Sequence, residues 1–251
     1  MDAIAEYLIK IEDFPKLLTT LLKEKVIEKL IGAATKIDKK TNLEDRFTVV
    51  PNIIEKAEDI GQFPLTNLIA YGYARTNSAS KYLHKSVDGA LKEKVGLIAR
   101  PCDTRALIEL AKIKQINLDN LFIIAIEDRG MFPKAGREVK KIKDVDITKV
   151  VKEKVGDKGL IVKMEDGSSK ELDLTISENC LRCYRKLPVV ADLTVSDLGI
   201  PIDSDEIILK VFSEKGNEVV EKSNVDKKPL PDDLGGEERN MQTGVYEKDN
   251  C

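Results

Sequence analysis

Four cysteines carry the strongest hint of chemistry in this chain: Cys102 in RPCDTR, Cys180 and Cys183 in CLRC, and Cys251 at the last position. A C-x-x-C turn lets two thiolates face one ion or one cluster. Arg182, Arg185 and Lys186 surround this pair, and positive charge of that kind offsets the negative charge of a thiolate-bound cluster. A zinc ribbon needs a second pair, which the sequence lacks, and the one histidine, His84, falls in an expected helix. A thioredoxin-like dithiol is a second reading, but that motif opens a helix directly after a strand, whereas CLRC lies between SEN and YRKLPVV. A surface turn with two incidental cysteines is the plain structural alternative.

Cys102 is flanked by Arg100, Pro101, Asp103 and Arg105, which is no setting for a cysteine used as a small core hydrophobe. A helix starting just after it points backbone N–H groups outward, so a ligand or reactive thiol is expected. Asp103 or Thr104 can equally serve as the N-cap of that helix. Three cysteines leave a four-iron cluster one ligand short. Asp128, in AIEDRG just beyond the next strand, would share a sheet edge with Cys102, and a carboxylate can ligate iron. Cys251, Glu127 and a water are the competing donors, and the expected metal set is Cys102, Asp128, Cys180 and Cys183.

No G-x-G-x-x-G follows a strand and no G-x-x-x-x-G-K-[ST] occurs, so a dinucleotide, if bound, is not held in a Rossmann or P-loop turn. The basic and hydroxylic residues of NSASKYLHK, with Ser80 and Lys81, and of RPCDTR, with Arg100, Asp103, Thr104 and Arg105, can contact phosphates. A solvated helix face explains the first group as well.

The elements that must position these residues follow from hydrophobic period. Leu17, Leu18, Leu21, Leu22, Val26, Leu30 and Ile31 recur at helical spacing and predict an amphipathic helix over 14–31. Ala33 to Ile37 and Phe47 to Val50 read as short strands, the second stopped by Pro51. Helices are expected near Leu65 to Tyr73 and over Ser78 to Lys94. The clearest unit is VGLIA (95–99), the turn RPCDT, a helix ALIELAKI (106–113) and the strand LFIIAI (121–126), which together describe a right-handed βαβ unit in a parallel sheet. Function collects at the carboxyl ends of such strands, here Arg100 to Asp103 and Glu127 to Gly130. Beyond Asp144, LIVKM and KELDLTI around EDGSS form a β-hairpin, followed by the strand-like ADLTVSDLG and EIILKVF.

The expected fold is therefore α/β: a mixed, partly parallel sheet with flanking helices and a smaller β-rich C-terminal half. Residues 1–143 form an α/β half, which the family resemblance given next makes the flavin- and cluster-binding half, 144–222 a β-rich half carrying the C-x-x-C, and 223–251, rich in Pro, Gly and charge, a flexible or partner-ordered tail. With 42% hydrophobic residues in 251, the chain can bury a core without disulfides or metal. Charged residues are 34% but nearly cancel to −3, and no Lys/Arg stripe is interleaved with aromatics, which argues against nucleic acid. Acidic Asp2, Glu6, Glu12 and Asp13 stand where a signal peptide needs basic residues, and no stretch reaches the roughly 18 apolar residues of a membrane span. The expected location is cytoplasmic, where thiols stay reduced.

RPCDTRAL, AIEDRGMF and CLRC running into ADLTVSDLG occur together and in order, and on these the chain resembles the beta subunits of coenzyme F420-reducing hydrogenase and the related formate dehydrogenase beta subunits. The resemblance covers about residues 14–212. It implies an oxidoreductase subunit, a flavoprotein that exchanges hydride with the deazaflavin coenzyme F420 through FAD and passes single electrons through a [4Fe-4S] cluster. The implied partners are other redox subunits of hydrogenase, formate dehydrogenase or heterodisulfide-reductase type. Cys102, Cys180 and Cys183 match cluster-ligand positions of the family, whereas Asp128 stands where the family typically has cysteine. Phe14 and Pro15 replace a family Gly-Gly, leaving Thr19 and Thr20 as the flavin contacts of that helix. Lys81, Arg100 and Arg105 are the candidate anchors for the FAD phosphates. A cluster-bearing docking module without F420 chemistry and a structural-zinc protein are the alternatives.

Overall fold

The computed structural model describes residues 3–35, 48–62, 74–75, 79–127, 130, 145, 149–155, 159–183, 187–231 and 234. In chain order these form β1 (Ala5–Lys10), α1 (Phe14–Lys23), β2 (Lys29–Thr35), β3 (Thr48–Ile54), β4 (Ala74–Arg75), α2 (Ala79–Ser86), β5 (Val95–Ala99), α3 (Pro101–Lys112), β6 (Leu121–Glu127), β7 (Val150–Val155), β8 (Leu160–Met164), β9 (Ser169–Leu172), α4 (Glu178–Leu181), β10 (Leu193–Ser196), β11 (Glu206–Val211), α5 (Glu214–Lys222) and β12 (Lys227–Pro229). Nine strands make one mixed sheet in the order β12-β1-β11-β10-β6-β5-β2-β3-β4, and β7-β8-β9 make a separate antiparallel sheet.

The centre of the large sheet is parallel: β2 on β5, β5 on β6 and β6 on β10. Every residue of β5, β6 and β10 is buried, the expected state of parallel strands covered on both faces. One face carries Phe122, Ile124, Ile126, Val195 and Leu209 against α1 and α5. The other carries Leu97, Ile123 and Ala125 against α2 and α3, with Leu83 and Leu107 among the helix contacts. Each such side chain contributes about 1.5–3 kcal/mol by leaving water.

Asp192, in the loop before β10, splices this sheet together. Its carboxylate accepts the Ile123 N–H at 2.8 Å and the Ser213 hydroxyl at 2.6 Å, and its backbone exchanges hydrogen bonds with Ile123 and Phe212. The Ser213 hydroxyl also accepts the Gly216 N–H and so caps α5.

The expected βαβ unit, hairpin and later strands stand where the pattern placed them. The boundaries differ in instructive ways. The first helix ends at Lys23, where Lys25 takes φ 53, and Leu30 and Ile31 belong to β2 instead. Their spacing continued the helical period by coincidence across a turn. β3 is not stopped by Pro51, which pairs with Ala33 of β2 while β4 flanks β3 only at Thr48 and Val49; its missing N–H therefore costs no ladder bond on that side. The helix expected over Ser78 to Lys94 ends at Ser86, because Asp88, Gly89 and Ala90 all take positive φ. At Gly89 a Cβ would sit 2.0 Å from the Gln115 carbonyl oxygen, so the turn requires glycine. α3 starts at Pro101, five residues before its expected start, which takes Cys102 into its first turn. Part of the expected tail is ordered: β12 pairs with β1 through Tyr7, Leu8 and Ile9. β1 itself, unforeseen in the sequence, lies between β11 and β12. The stretch Leu65 to Tyr73 lies outside the described residues.

Candidate functional site

The parallel strands end at one edge, where Ala99 pairs with Ala125 and Glu127 with Ser196. α3 leaves from this edge. Arg100 is extended at its N-cap, and its backbone N–H donates to the Asp103 carboxylate at 2.9 Å. Pro101 then fits the first turn, where its missing N–H is no loss. Cys102 follows and is exposed, while Arg100, Asp103 and Thr104 are buried.

Thr104 donates its hydroxyl hydrogen to the Pro101 carbonyl at 2.9 Å and accepts the Val189 N–H at 3.2 Å. The first turn of α3 is thereby clipped to the segment that follows the C-x-x-C. Arg105, one turn beyond Cys102 on the same side of the helix, donates from Nη2 to the Cys183 Sγ at 3.6 Å.

The C-x-x-C is wound on the single turn α4. The Cys180 and Leu181 N–H groups donate to the Ser177 carbonyl at 2.8 and 2.9 Å, and the Cys183 N–H to the Cys180 carbonyl at 3.3 Å. Both thiols are half-buried. Gly130 packs on this turn with φ +132, and a Cβ there would lie 2.8 Å from the Cys180 Cβ and 2.9 Å from Ile176 Cγ2. No side chain fits, so the chain leaving β6 can lie directly on Cys180. The sequence signal for it was the glycine of AIEDRG, legible only once a close approach is known.

The structure thus brings Cys102, Arg105, Cys180 and Cys183 to the carboxyl edge of the parallel strands. Thr19 and Thr20 are elsewhere: they fall in the second half of α1, on the opposite face of the sheet from α3, with the Thr20 hydroxyl donating to the Lys16 carbonyl. Asp103 and Thr104 use their side chains on the turn itself. Ser80 and Lys81 lie on α2, their side chains outside the described ones, and Asp128 and Cys251 are outside the described residues altogether. Glu127, an alternative metal donor, is buried and paired with Lys210 at 2.6 Å, their side chains 5% and 10% exposed. Sequence reasoning missed this pair because the partners are 83 residues apart.

Soft thiol donors next to a guanidinium suit an iron–sulfur cluster in chemistry. Among the described residues, no group of three or more His, Cys, Asp or Glu converges closely enough to hold an ion, and the candidate fourth donor, Asp128, is not among them.

The sheet is that of a mixed α/β protein with a thiol pair at the carboxyl edge of its parallel strands, and comparison with known proteins gives the family. The family model for the C-terminal part of the coenzyme F420 hydrogenase/dehydrogenase beta subunit matches residues 92–229, and the chain belongs to that family. It is 36% identical over 156 residues to the F420-dependent formate dehydrogenase 1 subunit beta of Methanococcus maripaludis, covering 55% of this chain and 40% of that protein. It is 30% identical over 144 residues to the F420-dependent formate dehydrogenase subunit beta of Methanocaldococcus jannaschii, covering 53% of this chain and 38% of that one. The match therefore spans well under half the length of these relatives. A chain of the F420-reducing [NiFe] hydrogenase complex from Methanosarcina barkeri shares the fold at a TM-score of 0.69 and 16% identity, over 97% of this chain and 91% of that chain. Among the described residues no helix is long and apolar enough to cross a membrane.

Proposed function

We propose that this chain is the electron-transfer beta subunit of a coenzyme F420-linked oxidoreductase complex, binding FAD and one [4Fe-4S] cluster and working with hydrogenase-type or formate dehydrogenase-type redox subunits in the cytoplasm. The observation that carries this reading is the contact of Arg105 with Cys183. It joins the Cys102 turn and the C-x-x-C turn, far apart in sequence, at one edge of the sheet.

FAD, when bound, supplies the exchange between a two-electron hydride and single electrons, and the cluster carries those electrons one at a time. The chain's own residues do the rest. Cys102, Cys180 and Cys183 ligate iron, with Asp128 in the fourth position. Arg105 offers a hydrogen bond and positive charge to the sulfur of Cys183, the kind of contact that tunes a cluster from outside its ligand shell. Arg100 and Arg105, with Lys81 and Ser80, serve the phosphates of FAD.

Anaerobically purified protein tests the reading. Flavin bands together with broad iron–sulfur absorption are expected, and Cys180→Ser should remove more than half of the iron. A spectrum with the iron–sulfur shoulder alone would reduce the chain to a docking module that carries a cluster without F420 chemistry. Colourless protein containing zinc, or full iron retention in Cys180→Ser, overturns the cluster assignment.

A further inference from the structure

Two consecutive side chains of α3 hold the stretch that leaves the C-x-x-C at two points. Arg105 donates to the Cys183 Sγ at 3.6 Å, and Thr104 accepts the Val189 N–H, further along the chain, at 3.2 Å. One contact alone would let the stretch pivot about it. Two contacts fix both its distance from the Cys102 turn and its direction. Pro188, just before the second point, has its own φ locked at about −65° and stiffens the approach.

The Thr104 hydroxyl is the junction of this arrangement. Its residue is fully buried, and its one proton goes to the Pro101 carbonyl at 2.9 Å, which leaves its lone pairs to face the Val189 N–H. A single oxygen thus joins the turn that carries Cys102 to the segment that leaves Cys183, out of reach of competing water. Full burial and two committed bonds also take Thr104 out of the phosphate-contacting role that its place in RPCDTR suggested. Side-chain packing does not explain the second bond: Val189 is 42% exposed and joins neither apolar cluster of the large sheet. Cys102 and Cys183 join neither cluster as well. What the junction arranges is therefore the thiols and not the core.

We propose that Thr104 is a positioning residue for the cysteine set: its hydroxyl fixes the span between Cys102 and Cys183 and so sets how firmly these two thiols hold iron together. The inference rests on the cluster reading above. Arg105 acts on the Cys183 sulfur directly, whereas Thr104 touches no thiol and acts only through the placement of backbone. Its effect therefore depends on the hydroxyl and not on charge.

Two readouts on the anaerobically purified full-length protein test this: the rate of iron release to a strong chelator, followed by the loss of iron–sulfur absorption, and the EPR spectrum of the dithionite-reduced protein. Thr104→Val should release iron about fivefold faster than wild type, the usual worth of one hydrogen bond, and should shift the EPR g values. Thr104→Ser, which keeps the hydroxyl, should match wild type in both. Thr104→Ala loses the same hydroxyl without setting a methyl group against the Pro101 carbonyl; it should behave as Thr104→Val does and replaces it if that variant does not fold. Ile124→Ala, a packing loss on the opposite face of the sheet, should leave both readouts at wild type. Wild-type release and spectrum in the variants without the hydroxyl, or equal acceleration by Ile124→Ala, overturns the positioning role and leaves the cluster reading intact. A wild-type chain without iron–sulfur absorption overturns the cluster reading, and this role with it.

Discussion

Along β6, β10 and β11 the side chains alternate between two faces of different chemistry. Ile124, Ile126, Leu193, Val195 and Leu209 join one apolar cluster under α1 and α5, whereas Glu127, Thr194 and Lys210 line a cavity on the other face. The strands, hydrogen-bond ladders and register are common to both. A β-strand can therefore present an apolar core on one side and a polar surface on the other, because successive side chains point opposite ways. The apolar face gains free energy from every buried methylene, while the polar face gives some of it up to a buried ion pair and an unsatisfied hydroxyl.

Substitutions that treat the two faces alike sharpen the contrast. The largest loss is expected from Lys210→Met, which leaves the Glu127 carboxylate buried without its partner; about 3–5 kcal/mol of unfolding free energy should disappear in urea titrations. Pairing it with Glu127→Leu should recover most of that, since no lone charge then remains. On the apolar face Ile124→Ala should cost about 2–5 kcal/mol in the same assay, with no rescuing partner, because the loss there is packing. The smallest effect carries the opposite sign. Thr194→Val removes a buried hydroxyl with no hydrogen-bond partner among the described residues, so the chain should gain about 1 kcal/mol and melt a few degrees higher in calorimetry. A destabilised Thr194→Val would mean that the two faces are equally optimised for stability, and the contrast would collapse.

The fold was legible where local pattern and tertiary demand agreed. VGLIA and LFIIAI are apolar runs too short for helices, and they fixed the two strands of the βαβ unit almost to the residue, while the helix between them begins five residues earlier than its apolar period alone suggests. Legibility failed where a period continued across a boundary, as at Val26 to Ile31, and where a strand resembled nothing local, as in AEYLIK of β1, whose pairing with β11 joins opposite ends of the chain. The cysteines could be found because a C-x-x-C is a spacing signal. The Glu127–Lys210 pair, Thr194 and the contact of Gly130 with Cys180 left no such trace. Each is created by register or by close approach between segments that no single window of sequence contains. Asp192 shows the same limit: its side chain reads as an ordinary loop residue, yet it accepts hydrogen bonds from Ile123 and Ser213.

The clip between Thr104 and Val189 spans 85 residues of chain, and the bond from Arg105 to Cys183 spans 78. Contacts of that range close loops of the same order as the one between Ile124 of β6 and Leu193 of β10. The carboxyl edge is thus tied to the sheet by closures as long as those that align the strands beneath it. Cys102 and the C-x-x-C add no residue to either apolar cluster of that sheet, so whatever the thiols take up, the core under them is already complete.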